Sequence, residues 1–369
     1  MTNWYTVKNI AGIDSPTLLI YKERVHQNIA AAIAMVGNVS RLRPHIKTNK
    51  NRATVALMIA AGITKFKCAT IAEAELLGMT GAIDVLLAYQ PIGPKITRLF
   101  KLIDKYTATH FSCLADNQSA ASHLSAAAIA NAAELSVYVD VNMGMNRTGV
   151  AVGNKALALY KYCTALPSIY VRGFHCYDGH IRHIDEQQKI AACNQAFAAV
   201  KQMKQQLKNE GYKKPVIIAG GSPTFSVHAK WPEVECSPGT FVYWDKTYLQ
   251  LCPEQPFVTA ALVLGRVISL PSPGLACIDI GHKSIAAENT IDKRITFLNA
   301  PNLAFVSQSE EHLVASYPAD EQLEVGDVLY GLPHHICPTV ALYDSAVVIK
   351  HGQAGERWRI EARDRILTI

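Results

Sequence analysis

Arg43-Pro44-His45-Ile46-Lys47-Thr48-Asn49-Lys50 passes from apolar to basic and ends in two lysines. As an extended strand beginning at Leu42, it puts Leu42, Pro44 and Ile46 on one face and Arg43, His45 and Lys47 on the other. One face suits a core, and the other carries chemistry. A lysine where a strand gives way to a loop can serve as an amine nucleophile once it is desolvated. Taken alone, the eight residues read more readily as a solvated basic loop, so the surrounding chain has to decide.

On either side of this stretch the chain alternates strand and helix. Thr17-Leu18-Leu19-Ile20-Tyr21 reads as a strand feeding a helix with Val25, Ile29, Ile33 and Val36 inward. Residues 42–47 precede a helix at 55–60, residues 65–68 one at 71–77, and residues 85–89 one from Pro94. Further strands at 111–114, 135–142 and 171–177 are each followed by helical periodicity. The longest helix is predicted over 186–208, with Ile190, Cys193, Phe197, Val200, Met203 and Leu207 buried and Gly211 as its stop. Strands at 216–219 and 235–243 complete about eight units, which favours a closed (β/α)8 TIM-type barrel over an open parallel sheet.

Past Pro253 the texture changes to short alternating apolar runs at 257–267, 276–280, 303–306, 328–332, 345–350 and 358–362, broken by Pro, Gly and Asp. The predicted organisation is an α/β barrel over 17–250, followed by a mostly antiparallel β domain over 251–369 that residues 1–16 could join. The chain has 369 residues, 49% of them hydrophobic, enough for one large domain and a smaller partner. Its net charge of +6 is scattered without a basic run, which argues against nucleic acid as a partner. Residues 1–20 lack the layout of a secretion signal and no apolar run approaches spanning length, so the expectation is a cytoplasmic protein away from membranes. Nine dispersed cysteines fit reduced thiols.

Barrel enzymes work at the C-terminal ends of their strands, and phosphate is often held by the loops after strands seven and eight. Those two places carry Gly220-Gly221-Ser222-Pro223-Thr224 and Ser237-Pro238-Gly239-Thr240, small-residue loops able to cradle a phosphate. Each alone reads as a turn. Combined with Lys47 they suit a phosphate-bearing ligand that an amine captures covalently, and pyridoxal phosphate fits that description.

Five segments in order then carry a family resemblance: 43–50, Asp140-Val141-Asn142-Met143-Gly144-Met145-Asn146-Arg147-Thr148-Gly149, Gly173-Phe174-His175-Cys176-Tyr177-Asp178-Gly179-His180, 220–224, and Pro333-His334-His335-Ile336-Cys337-Pro338-Thr339. The chain resembles the fold-type III pyridoxal phosphate enzymes, the alanine-racemase-like barrel, and within them the D-threonine aldolase and D-serine dehydratase branch. The resemblance implies that Lys47 carries the cofactor and acts on the substrate, that Arg147 lies near the phenolic oxygen and Tyr177 near the pyridine ring, and that Gly221, Ser222, Gly239 and Thr240 hold the phosphate. His45 joins the cofactor-binding set, while Tyr177 and His180 are further catalytic candidates. Asn49 stands where the branch usually shows His. A homodimer pairing one subunit's barrel with the other's β domain follows from the resemblance alone.

On an extended chain His335 and Cys337 share a face, so an imidazole and a thiolate can converge on one metal ion with positions left for water and substrate. Without the resemblance they read as a buried histidine and an inert cysteine. A thiolate is soft and selects zinc over magnesium, manganese or calcium. By the resemblance, dehydratases show His with Cys at this spacing and aldolases His with Asp. The expected function is therefore a pyridoxal phosphate- and metal-dependent lyase on D-3-hydroxy amino acids, of the D-serine/D-threonine dehydratase type. D-Threonine aldolase is the close alternative. An amino acid racemase and a non-catalytic pyridoxal phosphate-binding protein stand further off; Ser237 occupies the place of the arginine that alanine racemase shows before its Pro-Gly. His183 and His282 read as loop histidines, and Lys201, Lys204 and Lys208 as a solvated helix face.

Overall fold

A computed structural model describes residues 3–318, 320 and 322–369. Seven strands pair in parallel in sequence order: Lys65–Cys68, Asp84–Leu87, His110–Ala115, Leu135–Asn142, Ile169–Cys176, Val216–Ala219 and Val234–Cys236. The 42–46 segment supplies the eighth stave. It bridges Leu42 to Cys236 on one side and His45 to Lys67 on the other, so the sheet curls into a barrel. Pro44 offers no N–H, and its carbonyl instead accepts the Lys67 N–H at 2.8 Å, which explains why this stave is a pair of bridges and not a regular strand.

Helices return the chain between strands, and their starts follow from side-chain caps. Asn51, Thr70, Asn117 and Asp185 each accept a backbone N–H from the first turn, at 2.7 to 3.1 Å. Glu73 adds a capping carboxylate, accepting the Ala69 N–H at 2.6 Å. The helix Glu186–Asn209 buries the predicted stripe except at its first turn. There Lys189 is buried in place of the half-buried Ile190, because its ammonium reaches the Glu254 carboxylate at 2.6 Å.

Thr17–Tyr21 differs from the prediction, being no part of the barrel. It pairs antiparallel with Ala261–Ser272 and parallel with Ser345–Lys350, inside the second sheet. All five residues are buried. Leu18 and Ile20 belong to the main core, while Leu19 and Tyr21 pack with Leu262, Leu264 and Ile349 in a second cluster. A strand covered on both faces has no polar side to say which sheet it joins. The rest of that sheet is antiparallel, running through Ala304–Gln308, Leu313–Ser316, Leu275–Ile278 and Ala261–Ser272, with Val328–Pro333 and Ile295–Phe297 branching off and Gln353–Arg359 at the other edge. Among the described residues no helix is long and apolar enough to cross a membrane.

Arg43, predicted on the chemical face, is instead wholly buried as a structural cation. Its guanidinium meets Asp84 at 2.7 Å and Glu235 at 2.8 Å, tying the 42–46 stave to the strands Asp84–Leu87 and Val234–Cys236. Without Arg43 the two largely buried carboxylates would keep only one outer partner each, Arg172 for Asp84 and Lys65 for Glu235, and would lose the one cation that joins them. Arg43→Met is therefore expected to cost roughly 3–5 kcal/mol in urea unfolding. A loss under about 1 kcal/mol, the range of surface pairs, would show that the set is not what holds the barrel closed.

Candidate active site

The ends of the staves converge on a cavity of about 360 Å³, a size that suits a small ligand. Lys47, His45, Tyr177, Gly221, Ser222, Gly239, Thr240, His335 and Cys337 all line it. Arg147 lies beside it, its guanidinium carbon 5.1 Å from the centre of the Tyr177 ring, and lines an adjoining cleft with Tyr177. His180 is exposed and does not line the cavity; its ring packs over Gly144.

The two small-residue loops meet at one corner. The Thr240 and Gly239 N–H groups both point to the Ser222 hydroxyl, at 3.1 and 3.4 Å, and Ser222 and Thr240 are buried there. Convergent N–H groups and hydroxyls make an anion-receiving corner. Glycine is required by space: a Cβ on Gly239 would lie 3.0 Å from the His45 carbonyl oxygen, and one on Gly221 2.9 Å from the Tyr177 ring. Behind the loops, the buried Asp178 carboxylate accepts from the Thr224 hydroxyl at 2.8 Å and from His228 at 2.7 Å, fixing the turn after Tyr177 to the turn after Ala219. Asp178, Cys193 and His228 place ligand-type atoms within 4.8 Å of one another, and the hydrogen bonds of that carboxylate already account for the cluster. An amine and an anion corner lining one cavity fit pyridoxal phosphate: Lys47 would bind its aldehyde, and Gly221, Ser222, Gly239 and Thr240 its phosphate.

His45 is held neutral. Burial, with the Lys47 and Lys67 ammonium groups close by, takes its pKa well below the usual range. Its Nδ1 accepts the Lys47 backbone N–H at 3.2 Å, so the proton sits on Nε2.

His335 and Cys337 do meet, by a different backbone from the predicted extended run. His335 is extended (φ −135°, ψ 98°) and the chain then turns into the short helix Ile336–Val340, which contains Cys337. Pro338 is tolerated there because the first turn of a helix leaves its N–H groups unpaired. The buried Asp245 anchors this turn to the barrel, accepting the Ile336 N–H at 3.1 Å and the Tyr248 N–H at 3.0 Å. Burial lifts the Asp245 pKa to about 6 against these donors.

Burial disfavours charge on His335, but hydrogen bonding to Cys337 and the adjacent Glu288 carboxylate raise it to about 9. Burial likewise opposes ionisation of Cys337, and His335, Lys47 and the Thr48 hydroxyl bring its pKa below the ordinary thiol value. Thr48 and Thr240 lie 3.0 and 3.6 Å from its sulfur. The ring and the sulfur lie together, each favouring the other's charged form, and Glu288 is bonded to Nδ1 so that Nε2 is directed away from the carboxylate, the orientation that carboxylates impose on metal-binding histidines. Sequence reasoning missed Glu288, which lies far away along the chain in an irregular segment. It also missed Lys67, a cavity-lining lysine read only as part of a strand.

Comparison with known proteins gives the lineage. The model for the alanine racemase N-terminal domain matches residues 20–247, and one described as Putative serine dehydratase domain matches residues 260–349. D-Threonine aldolase from Arthrobacter sp is 27% identical over 360 residues, covering 96% of this chain and 94% of that protein. D-threo-3-hydroxyaspartate dehydratase from Delftia sp. (strain HT23) is 22% identical over 371 residues, covering 94% and 97%. The crystal structure of D-threonine aldolase from Filomicrobium marinum superposes with a TM-score of 0.89 at 24% identity, covering 98% of this chain and 99% of that one, and shows the same fold. The match over residues 20–247, on a barrel closed by the 42–46 segment with Lys47 and a small-residue anion corner lining its cavity, makes this chain a member of the alanine racemase N-terminal domain family, among the fold-type III pyridoxal phosphate enzymes.

Proposed function

We propose that this protein is a pyridoxal phosphate- and metal-dependent lyase acting on D-3-hydroxy amino acids. One observation carries the reading: Lys47, the anion corner and the His335–Cys337 pair all line a single cavity. The curated relatives named above, an aldolase and a dehydratase, are both lyases of such substrates by name. The same reading includes zinc as the metal and the homodimer that the resemblance implies.

When bound, pyridoxal phosphate supplies an electron sink for a carbanion at Cα, and a divalent metal supplies a Lewis acid for oxygen. This chain's own groups do the rest. The Gly239 and Thr240 N–H groups and the Ser222 and Thr240 hydroxyls hold the anionic end. The Lys47 amine binds the aldehyde end and, once released by the incoming substrate amine, takes the Cα proton. His335, oriented by Glu288, and the Cys337 thiolate would hold the metal at the cavity wall. Loss of the β-hydroxyl after removal of the Cα proton yields a keto acid and ammonia. Removal of the hydroxyl proton instead breaks Cα–Cβ and yields glycine and an aldehyde.

Cys337 in the place where the branch's aldolases carry aspartate favours dehydration. The aldol reading is favoured by overall likeness, since the aldolase relative is the more similar of the two, 27% against 22% identical. Incubation with D-serine, D-threonine and D-3-hydroxyaspartate, followed by assay of keto acid, ammonia, glycine and aldehyde, separates them. Keto acid with ammonia is the expected result. Glycine without keto acid would overturn the preference for dehydration, and D-to-L interconversion alone would overturn the lyase.

A further inference from the structure

Lys67 is buried on the inner face of its strand and lines the same cavity as Lys47. Buried ammonium groups are ordinarily matched by a carboxylate. The contacts of Lys67 Nζ are different: the Ser237 hydroxyl at 2.6 Å and His175 Nε2 at 3.4 Å. Both of these accept from it. Ser237 directs its own proton to the Gly220 carbonyl at 2.9 Å. His175 gives its Nδ1 proton to Asp140 at 2.7 Å, which leaves a lone pair on Nε2. Two hydrogens of the amine are thus committed, and one tetrahedral position remains.

That position is a lone pair in the amine and a third N–H in the ammonium. Burial is the largest influence on the balance, with Lys47 and Arg43 also disfavouring charge and Asp140 and Asp178 favouring it; together they bring the pKa down to about 7. Neutral His45 and His175 complete the surroundings. Near neutral pH the free position can therefore either accept or donate.

A pyridine ring offers the complementary group, an in-plane nitrogen that is likewise bare or protonated. In pyridoxal phosphate this nitrogen is para to the aldehyde carbon, so it points away from the lysine that binds the aldehyde. Lys47 and Lys67 both approach the Tyr177 ring, their Nζ atoms 5.9 and 5.6 Å from its centre, and Ser237 immediately precedes the Pro238-Gly239 end of the anion corner. A ring held by Lys47 and the corner would lie against Tyr177, and Lys67 with Ser237 lines the part of the same cavity on which no anchoring role has fallen.

We infer that the ε-amine of Lys67, tethered by Ser237 and by His175 with Asp140, is the hydrogen-bond partner of the cofactor's ring nitrogen. Through that bond Lys67 sets how strongly the ring withdraws electrons. The inference rests on the cofactor reading above. It is tested by binding rather than turnover, using pyridoxal phosphate and its 1-deaza analogue, in which C–H replaces the ring nitrogen and the aldehyde and phosphate are kept. Wild-type apoprotein is expected to bind the analogue about tenfold or more weakly than pyridoxal phosphate. Lys67→Met should bind the two within about twofold, and Ser237→Ala, which keeps the amine, should still discriminate. Equal binding by the wild type overturns the inference whether or not the variants fold. So does discrimination that survives in Lys67→Met or vanishes in Ser237→Ala. Borohydride reduction in the same samples separates the two levels: an unlabelled Lys47 defeats the cofactor reading, whereas a labelled Lys47 without discrimination defeats only the role of Lys67.

Discussion

Lys47→Ala is expected to lower turnover by at least about 10⁴-fold, because one amine serves both to bind the cofactor and to move the proton at Cα. The fold should survive, since among the described residues Lys47 makes no ion pair and its segment is held by backbone bonds from Ile46 to Lys67 and from His45 to Pro238. Circular dichroism and the unfolding midpoint check this. Lys50 is the internal control. It is ion-paired to Glu73 and does not line the cavity, so Lys50→Ala should affect stability more than catalysis. Equal activity loss in both variants would mean that the segment matters as scaffold only.

Replacing His335 or Cys337 by alanine is expected to take the metal content from about one zinc per chain to nearly none. Turnover should fall by about 10²-fold or more while the cofactor stays bound. Metal analysis beside the visible absorbance of the bound cofactor reads both quantities on one sample. Chelation of the wild type should reproduce the variants, with zinc restoring activity. Glu288→Gln should give a smaller loss of affinity, of order tenfold, because it orients the imidazole without touching the metal. Variants that keep metal and turnover would remove the pair from the mechanism.

The barrel was legible because a strand and a helix of fixed period leave separate marks on a sequence, and because Gly-rich loops fell where a closed barrel needs them. Thr17–Tyr21 escaped for a reason of the same kind. Its five residues are apolar or small on both faces, so nothing in them distinguishes a barrel stave from a strand of the second sheet. Lys67 escaped through its alternation with Lys65, which reads as a wet face. In a closed barrel that face is the interior, where Lys65 reaches Glu235 and Lys67 reaches the cavity. Arg43 was read with His45 and Lys47 as part of a chemical face, because the carboxylates that make it a structural cation, Asp84 and Glu235, lie far from it along the chain. Glu288 could be found only from the tertiary structure, since nothing local links an acidic residue in an irregular segment to a histidine in a different one.

The most direct measurement is borohydride reduction of the protein loaded with pyridoxal phosphate, followed by peptide mapping of the attached cofactor. The account expects the label on Lys47 alone, with stoichiometry near one per chain. Label on Lys50 or Lys67, or on no lysine at all, would contradict it.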